Sequence, residues 1–190
     1  DDILVEKYRG FGRENQQMPI NENVPLHVAS ISKTMTAMTV LKLIEGGKLN
    51  LDDDLTKFFP QFPYPNISIF SLLSQRSGLP KYEHFEQSIS KDLPELKKQF
   101  ITNQDVLDIL IREKPDLARM SNTGFMYCNT NYALLALIVE KVTKTSFPDA
   151  MQKILFKPLG MDHSFIFQEK DIATASQSFY NGNNRLYPLD

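Results

Sequence analysis

The run SISKTMTAMTVLKLIE, residues 30–45, constrains the fold of this chain more than any other stretch. Wound as a helix it carries Ile31, Met35, Met38, Val40, Leu41, Leu43 and Ile44 on most of its faces, and Gly46 and Gly47 then supply a stop. A helix that is apolar nearly all round belongs in an interior, with other elements packed on more than one side. The chain has 190 residues, enough for one domain or for part of a larger one.

The remaining pattern is also mainly helical. Asp52 to Phe59 predicts a short helix that Pro60, Pro63 and Pro65 prevent from continuing, and SIFSLLSQRSGLP predicts another that ends at Ser77, Gly78 and Pro80. QDVLDILIREK predicts a helix capped by Asn103 and closed by Pro115. Asn131 to Thr143 predicts a strong helix, and PDAMQKILFKPLG predicts one that closes on Gly160. Residues 81–98 are crowded with charge and read as a solvated surface segment. Strand signal is confined to the ends: Ile3 to Phe11, and a hairpin in QSFYNGNNRLYPL on its Asn-Gly turn. One strand and one hairpin are at the margin of a stable sheet, which wants three or more strands over an apolar face. The expected class is therefore α+β, mainly helical and incomplete, with the chain forming part of a longer domain.

Composition removes several kinds of function. A net charge of -2, with lysines scattered along the chain, gives no footprint for nucleic acid. A single cysteine, Cys128, and three separated histidines (His27, His84, His163) offer neither an internal disulfide nor a metal-ligand spacing, so no metal and no cofactor is expected. No apolar run reaches the ~18 residues that span a bilayer, and no targeting signal is present.

The tetrapeptide SISK occurs twice, at residues 30–33 and 88–91. A Ser three residues before a Lys on a helix places hydroxyl and amine on one face, the arrangement an activated serine needs. Chance alone predicts about one such pair in this composition, so context decides between them. Ser88 and Lys91 precede Pro94, which disfavours helix, and lie in the charged segment, where a lysine stays solvated. Ser30 and Lys33 open the apolar helix, where burial lowers a lysine pKa and the helix N-terminus favours negative charge. The residues alone leave Ser30 equally readable as a helix cap.

Four blocks carry a resemblance: HVASISKTMTAMTVLKLIEGGKLNLDDDL, FSLLSQRSGLP, FMYCNTNYALLALIVEKVTKTSF and LFKPLGMDHSF. In this order they are similar to the serine β-lactamase and penicillin-binding protein family, on the class C-like branch that also holds esterases and D-amino-acid peptidases. The resemblance implies a β-lactamase/transpeptidase-like fold, a helical domain against an antiparallel sheet with flanking helices. Residues 1–190 would be part of one such catalytic domain, without its C-terminal strands and its first helix and strand. It implies an acyl-enzyme on Ser30, a substrate that is a β-lactam, a D-amino-acid peptide or a small ester, and a periplasmic or secreted location. It leaves the oligomeric state unassigned. A member of such a family that has lost turnover would instead serve as a binding, sensing or scaffold module.

The family's second motif in this branch is Tyr-x-Asn, and two matches occur. Tyr64-Pro65-Asn66 lies in a proline-rich loop, whereas Tyr127-Cys128-Asn129 stands before a strong helix inside a matching block. The resemblance therefore puts Tyr127 and Asn129 in the site. A nearby Lys33 ammonium stabilises a phenolate and lowers the pKa of Tyr127. Lys33, Tyr127 or the pair would take the proton from Ser30, and Asn129 would donate to a substrate amide and hold Lys33. Cys128 reads most simply as a small packing residue. The third motif, Lys-Thr-Gly or His-x-Gly on a C-terminal strand, has no match; Lys144-Thr145-Ser146 directly follows the second-motif helix and ends in Ser. That strand supplies an oxyanion donor whose loss costs about 100- to 1,000-fold in rate. No Gly-x-Ser-x-Gly occurs, which argues against an α/β-hydrolase.

Overall fold

A computed structural model describes residues 3–13, 18–85, 101–172, 174–182 and 185–188. Among the described residues five α-helices order the fold: α1 (Ser32–Glu45), α2 (Ile69–Leu73), α3 (Asn103–Glu113), α4 (Asn129–Thr143) and α5 (Phe147–Met151). The helix around which the others gather is α4. It touches α1, α2, α3 and α5, and buries every residue from Ala133 to Val139. Leu134, Leu135 and Ile138 of α4 meet Ile69 and Leu72 of α2, Ile109 and Leu110 of α3, and Leu55, Ile67 and Leu79 from the intervening loops. Burying a side chain of this size contributes about 1.5–3 kcal/mol, so this cluster dominates the stability of the described part.

The expectation that residues 30–45 form the central, all-round buried helix is corrected in two respects. The α-helix begins at Ser32, preceded by a 3₁₀ turn at Ala29–Ile31. Only one side is buried, through Thr36, Thr39, Val40 and Leu43, while Ile31, Met38 and Leu41 are about half exposed or more. The cause is placement: α4, α5 and the turn after α5 supply α1 with its contacts, and the exposed face meets none of them.

Local chemistry explains the other boundaries. Ser68 and Ser71 form a reciprocal capping box at the start of α2, and Thr102 and Asp105 form one at α3. Thr102 is thus the cap that the sequence reading gave to Asn103, because its side chain accepts from the Asp105 N–H. The helix expected over residues 52–59 shrinks to a 3₁₀ turn, Leu55–Lys57, capped by Asp54. After α5 the chain continues through a π turn, Gln152–Phe156, and a 3₁₀ turn, Lys157–Leu159, to Gly160 at φ 65°.

At the N-terminal end no strand forms over Ile3 to Phe11. Phe11 makes one bridge to Pro19, and Ile3, Leu4 and Val5 are three-quarters or more exposed. β-formers need a neighbouring ladder, and among the described residues this segment has none. The C-terminal hairpin does form, as β1 (Phe179–Gly182) antiparallel to β2 (Arg185–Pro188), with Tyr180 opposite Tyr187 and Gly182 opposite Arg185. Asn181 and Gly182 therefore lie within β1 instead of forming the turn. Among the described residues, no helix is long and apolar enough to cross a membrane.

Candidate active site

Ser30 sits in the 3₁₀ turn that leads into α1, directly after Ala29, whose φ of 46° is in the left-handed region. A non-glycine residue there carries about 1–3 kcal/mol of strain, held in place by the surrounding structure. The residue at the cap position is Val28, and no side chain caps the turn. Neighbouring hydroxyls turn back on the backbone: Ser32 Oγ donates to the Ala29 carbonyl at 2.7 Å and Thr34 Oγ1 to the Ile31 carbonyl at 2.7 Å. Ser30 Oγ does not. It lies 2.6 Å from Tyr127 Oη and accepts from Lys33 Nζ at 3.0 Å. The cap reading of Ser30 is set aside by this geometry.

Lys33 is partly buried, with Nζ 5.0 Å from the Tyr127 ring centroid and 5.8 Å from that of Tyr132. Hydrogen bonding from Lys33, and next from Ser30, holds the Tyr127 hydroxyl below the ordinary phenol pKa, against a smaller opposing effect of burial. Ser30, Lys33 and Tyr127 are thus brought within contact of one another, although 97 positions separate Ser30 from Tyr127. Ser30, Lys33, Thr36, Tyr82, Asn129 and Phe147 border one cleft of about 300 Å³.

Asn129, the first residue of α4, faces the same cleft, but its Nδ2 donates to Glu83 Oε1 at 2.5 Å and its Oδ1 is buried without a partner. Cys128 between them is 1% exposed, its Sγ 3.4 Å from the Leu79 carbonyl, and burial pushes its thiol pKa up. It packs, as its size predicts. The other Tyr-x-Asn is structural: Tyr64 is buried, donates to the Pro115 carbonyl, and has its pKa pushed up to about 12 by burial, while Asn66 turns the loop at φ 62°. Lys144 and Ser146 likewise serve a helix junction, Lys144 ending α4 at φ 59° and Ser146 capping α5. The second SISK copy, Ser88 to Lys91, lies outside the described residues.

A buried polar clamp that the sequence reading missed holds the Tyr127 segment. The Gln75 carbonyl accepts from Met126 N–H at 2.8 Å, and Gln75 Oε1 accepts from Cys128 N–H at 2.9 Å and from Asn131 Nδ2 at 2.6 Å. Ser77 Oγ donates to Asn131 Oδ1 at 2.6 Å, and Thr130 Oγ1 donates to the Pro80 carbonyl at 2.8 Å. The loop carrying Gln75 to Pro80 is thereby stitched to both sides of Tyr127. No spacing rule joins Gln75 to Cys128 across 53 positions, so only the third dimension reveals this clamp. Glu83 was read as part of a solvated surface segment; its hold on Asn129 was not foreseen. Among the described residues, no group of three or more His, Cys, Asp or Glu side chains is placed to hold a metal.

Comparison with known proteins identifies the family and the fold. The family model described as Beta-lactamase matches residues 1–189. Penicillin-binding protein 4* of Bacillus subtilis (strain 168) is 33% identical over 171 residues, covering 89% of this chain and 36% of that protein. A penicillin binding protein from Bacillus halodurans matches with a TM-score of 0.78 at 26% identity, over 95% of this chain and 54% of that one. D-amino acid amidase from Ochrobactrum anthropi SV3 matches with a TM-score of 0.71 at 25% identity, over 93% and 47%. The chain spans about a third of the length of the curated relative and about half of each solved chain.

Proposed function

Because the chain belongs to the β-lactamase family and shares the β-lactamase/transpeptidase fold of its structural neighbours, we propose that it carries the nucleophile of a serine hydrolase or acyltransferase. The observation that carries this reading is the approach of Tyr127 Oη (2.6 Å) and Lys33 Nζ (3.0 Å) to the oxygen of Ser30.

In this mechanism Ser30 Oγ attacks an acyl carbon while Tyr127, as phenolate, takes the hydroxyl proton; the Lys33 ammonium stabilises the phenolate and orients the serine. The lowered pKa of Tyr127 supports Tyr127 over Lys33 as the base. When the tetrahedral intermediate collapses, the bond from carbon to the leaving nitrogen or oxygen breaks and Tyr127 returns the proton to the leaving group. The Ser30 ester that remains is attacked by water or another acceptor, whose proton passes back through Tyr127 to Ser30. Asn129 keeps a second N–H beyond the one engaged by Glu83, and that N–H donates to the substrate amide.

The substrates that fit are β-lactams, D-amino-acid peptides and small esters, supported by the likeness to penicillin-binding proteins and to a D-amino acid amidase. The same likeness supports a periplasmic or secreted setting. The test is turnover of a nitrophenyl ester and a chromogenic β-lactam by the full-length protein. Ser30→Ala and Tyr127→Phe are expected to lower kcat by about 100-fold or more. Wild-type activity retained in Ser30→Ala would overturn the assignment. Tight binding of either compound with no covalent step would instead favour a binding module.

A further inference from the structure

Asn129 is the side chain that the resemblance assigns to holding Lys33, and the structure gives it other work. An amide holds an ammonium only through its carbonyl oxygen, because a charged lysine donates and never accepts. Asn129 Oδ1 is buried without a partner, and Nδ2 donates to Glu83. Among the described residues no carboxylate pairs with Lys33 either. Whatever steadies the ammonium beyond its bonds to Ser30, at 3.0 Å, and to Tyr127 lies elsewhere in the cleft.

Tyr132 meets that need. It stands three positions after Asn129 in the first turn of α4, on the face that borders the cleft. Lys33 Nζ lies over its ring, 5.8 Å from the centroid, and over the Tyr127 ring at 5.0 Å, so the ammonium rests against two aromatic faces. Such faces attract a cation within about 6 Å, more strongly where water is shed, and both Lys33 and Tyr132 are partly buried. The Tyr132 ring is fixed at both ends: its backbone belongs to the core helix, and its hydroxyl donates to the carbonyl of Leu73, the last residue of α2, at 3.2 Å. The two phenols are also pushed apart in chemistry. Burial first, and then the charge of Tyr127, hold Tyr132 above the ordinary phenol pKa, whereas Tyr127 is held below it. Tyr132 therefore stays a neutral ring while Tyr127 ionises.

We propose that Tyr132 is a positioning residue whose ring, tethered to Leu73, holds the Lys33 ammonium against Ser30 and Tyr127 in the role that Asn129 leaves unfilled. The proposal rests on the serine-hydrolase reading for turnover, but the hold on Lys33 is separable from the chemistry. The charged and titratable groups that face Tyr127 are Lys33 on α1, Glu83 and Tyr82 in the turn Tyr82–His84, and Tyr132 on α4. Lys33 favours the phenolate and Glu83 opposes it. Loosening Lys33 therefore leaves Glu83 less opposed and raises the pH at which Tyr127 ionises.

The test uses full-length protein with Tyr132→Phe, Tyr132→Leu and a series of phenylalanines at position 132 carrying increasing numbers of ring fluorines, which withdraw negative charge from the ring face at nearly constant shape. The first readout is the profile of kcat/KM against pH on a nitrophenyl ester. Tyr132→Phe keeps the ring and gives up the bond to Leu73, and its ascending limb is expected to stay where wild type has it. Tyr132→Leu is expected to move the limb upward, losing about two- to fivefold in kcat/KM below it and regaining that loss above it. The fluorinated rings are expected to move it progressively with fluorine number. A loss equal at every pH, or no trend along the fluorinated series, overturns the proposal and leaves Tyr132 a packing residue; if Tyr132→Leu does not fold, the series decides alone. The second readout needs no turnover: NMR titration of protein labelled at tyrosine Cζ, with the Tyr127 signal identified by its absence from Tyr127→Phe. Its midpoint is expected to rise in Tyr132→Leu and to hold in Tyr132→Phe. That rise in a protein without turnover retains the role of Tyr132 while sinking the hydrolase reading; turnover with a midpoint indifferent to residue 132 does the reverse.

Discussion

The phenol of Tyr127 is tied to two neighbours of opposite chemical use, a hydroxyl that it can deprotonate and a side chain whose hydrogen bonding favours its charged form. Because its pKa lies below the ordinary phenol value of about 10, the ascending limb of a kcat/KM against pH profile is expected at a pH below 10. In the proposed mechanism the base is the deprotonated phenol, so activity is expected to rise with pH through that limb. Lys33→Met removes the hydrogen bond that contributes most to the depression and is expected to move any residual limb upward, besides lowering the rate; a limb that stays in place would show that another group is titrating. At Cys128 the direction is opposite. Burial raises its thiol pKa and leaves 1% of the residue exposed, so iodoacetamide is expected to leave native protein unlabelled and to label it in urea. Rapid native labelling would mean that the Tyr127 segment opens readily.

Among the elements, the loop from Gln75 to Pro80 decides where Tyr127 stands, and Gly78 is its tightest point. A Cβ at Gly78 would come 2.0 Å from the Arg119 carbonyl oxygen, and its φ of 75° disfavours any side chain. Gly78→Ala in the full-length protein is expected to cost about 1–3 kcal/mol or more, measured as a lower urea midpoint, with loss of activity as the clamp on residues 126–131 loosens. An unchanged midpoint would contradict the close approach. At α3, Thr102→Ala is expected to cost about 1 kcal/mol through its capping box, and Asn103→Ala much less. Helix positions were legible because apolar periodicity and caps are local: α3 and α4 lie within two residues of their predicted starts, and the pairing of Ser30 with Lys33 is one turn of chain. The clamp of Gln75, Ser77 and Asn131 was not legible, since its members are polar residues joined only by tertiary folding. Glu83 is exposed as the charged run implies, but its contact with Asn129 was not legible for the same reason, since only the fold brings Asn129 to it.

For the molecule as a whole, sidedness was the property that composition hid. The apolar run at residues 30–45 is indifferent to which face is covered, and only the packing of α4 and α5 shows that Val40 and Leu43 are inside while Met38 and Leu41 face outward. The chain spans about half or less of its relatives' lengths, and we infer that in the full-length protein this apolar face is covered. Met38→Glu in the full-length protein is therefore expected to lower stability by about 2 kcal/mol or more, whereas an unchanged unfolding midpoint would show that this face is open to solvent. The strand signal over Ile3 to Phe11 belongs to the same scale, because a strand is legible only together with its partners. Whether Ser30 is the acylated nucleophile is decided by peptide mapping of full-length protein after reaction with a labelled penicillin or an activated ester. One adduct is expected, located on Ser30 and absent from Ser30→Ala. An adduct on Ser88, or one that persists in Ser30→Ala, would contradict it.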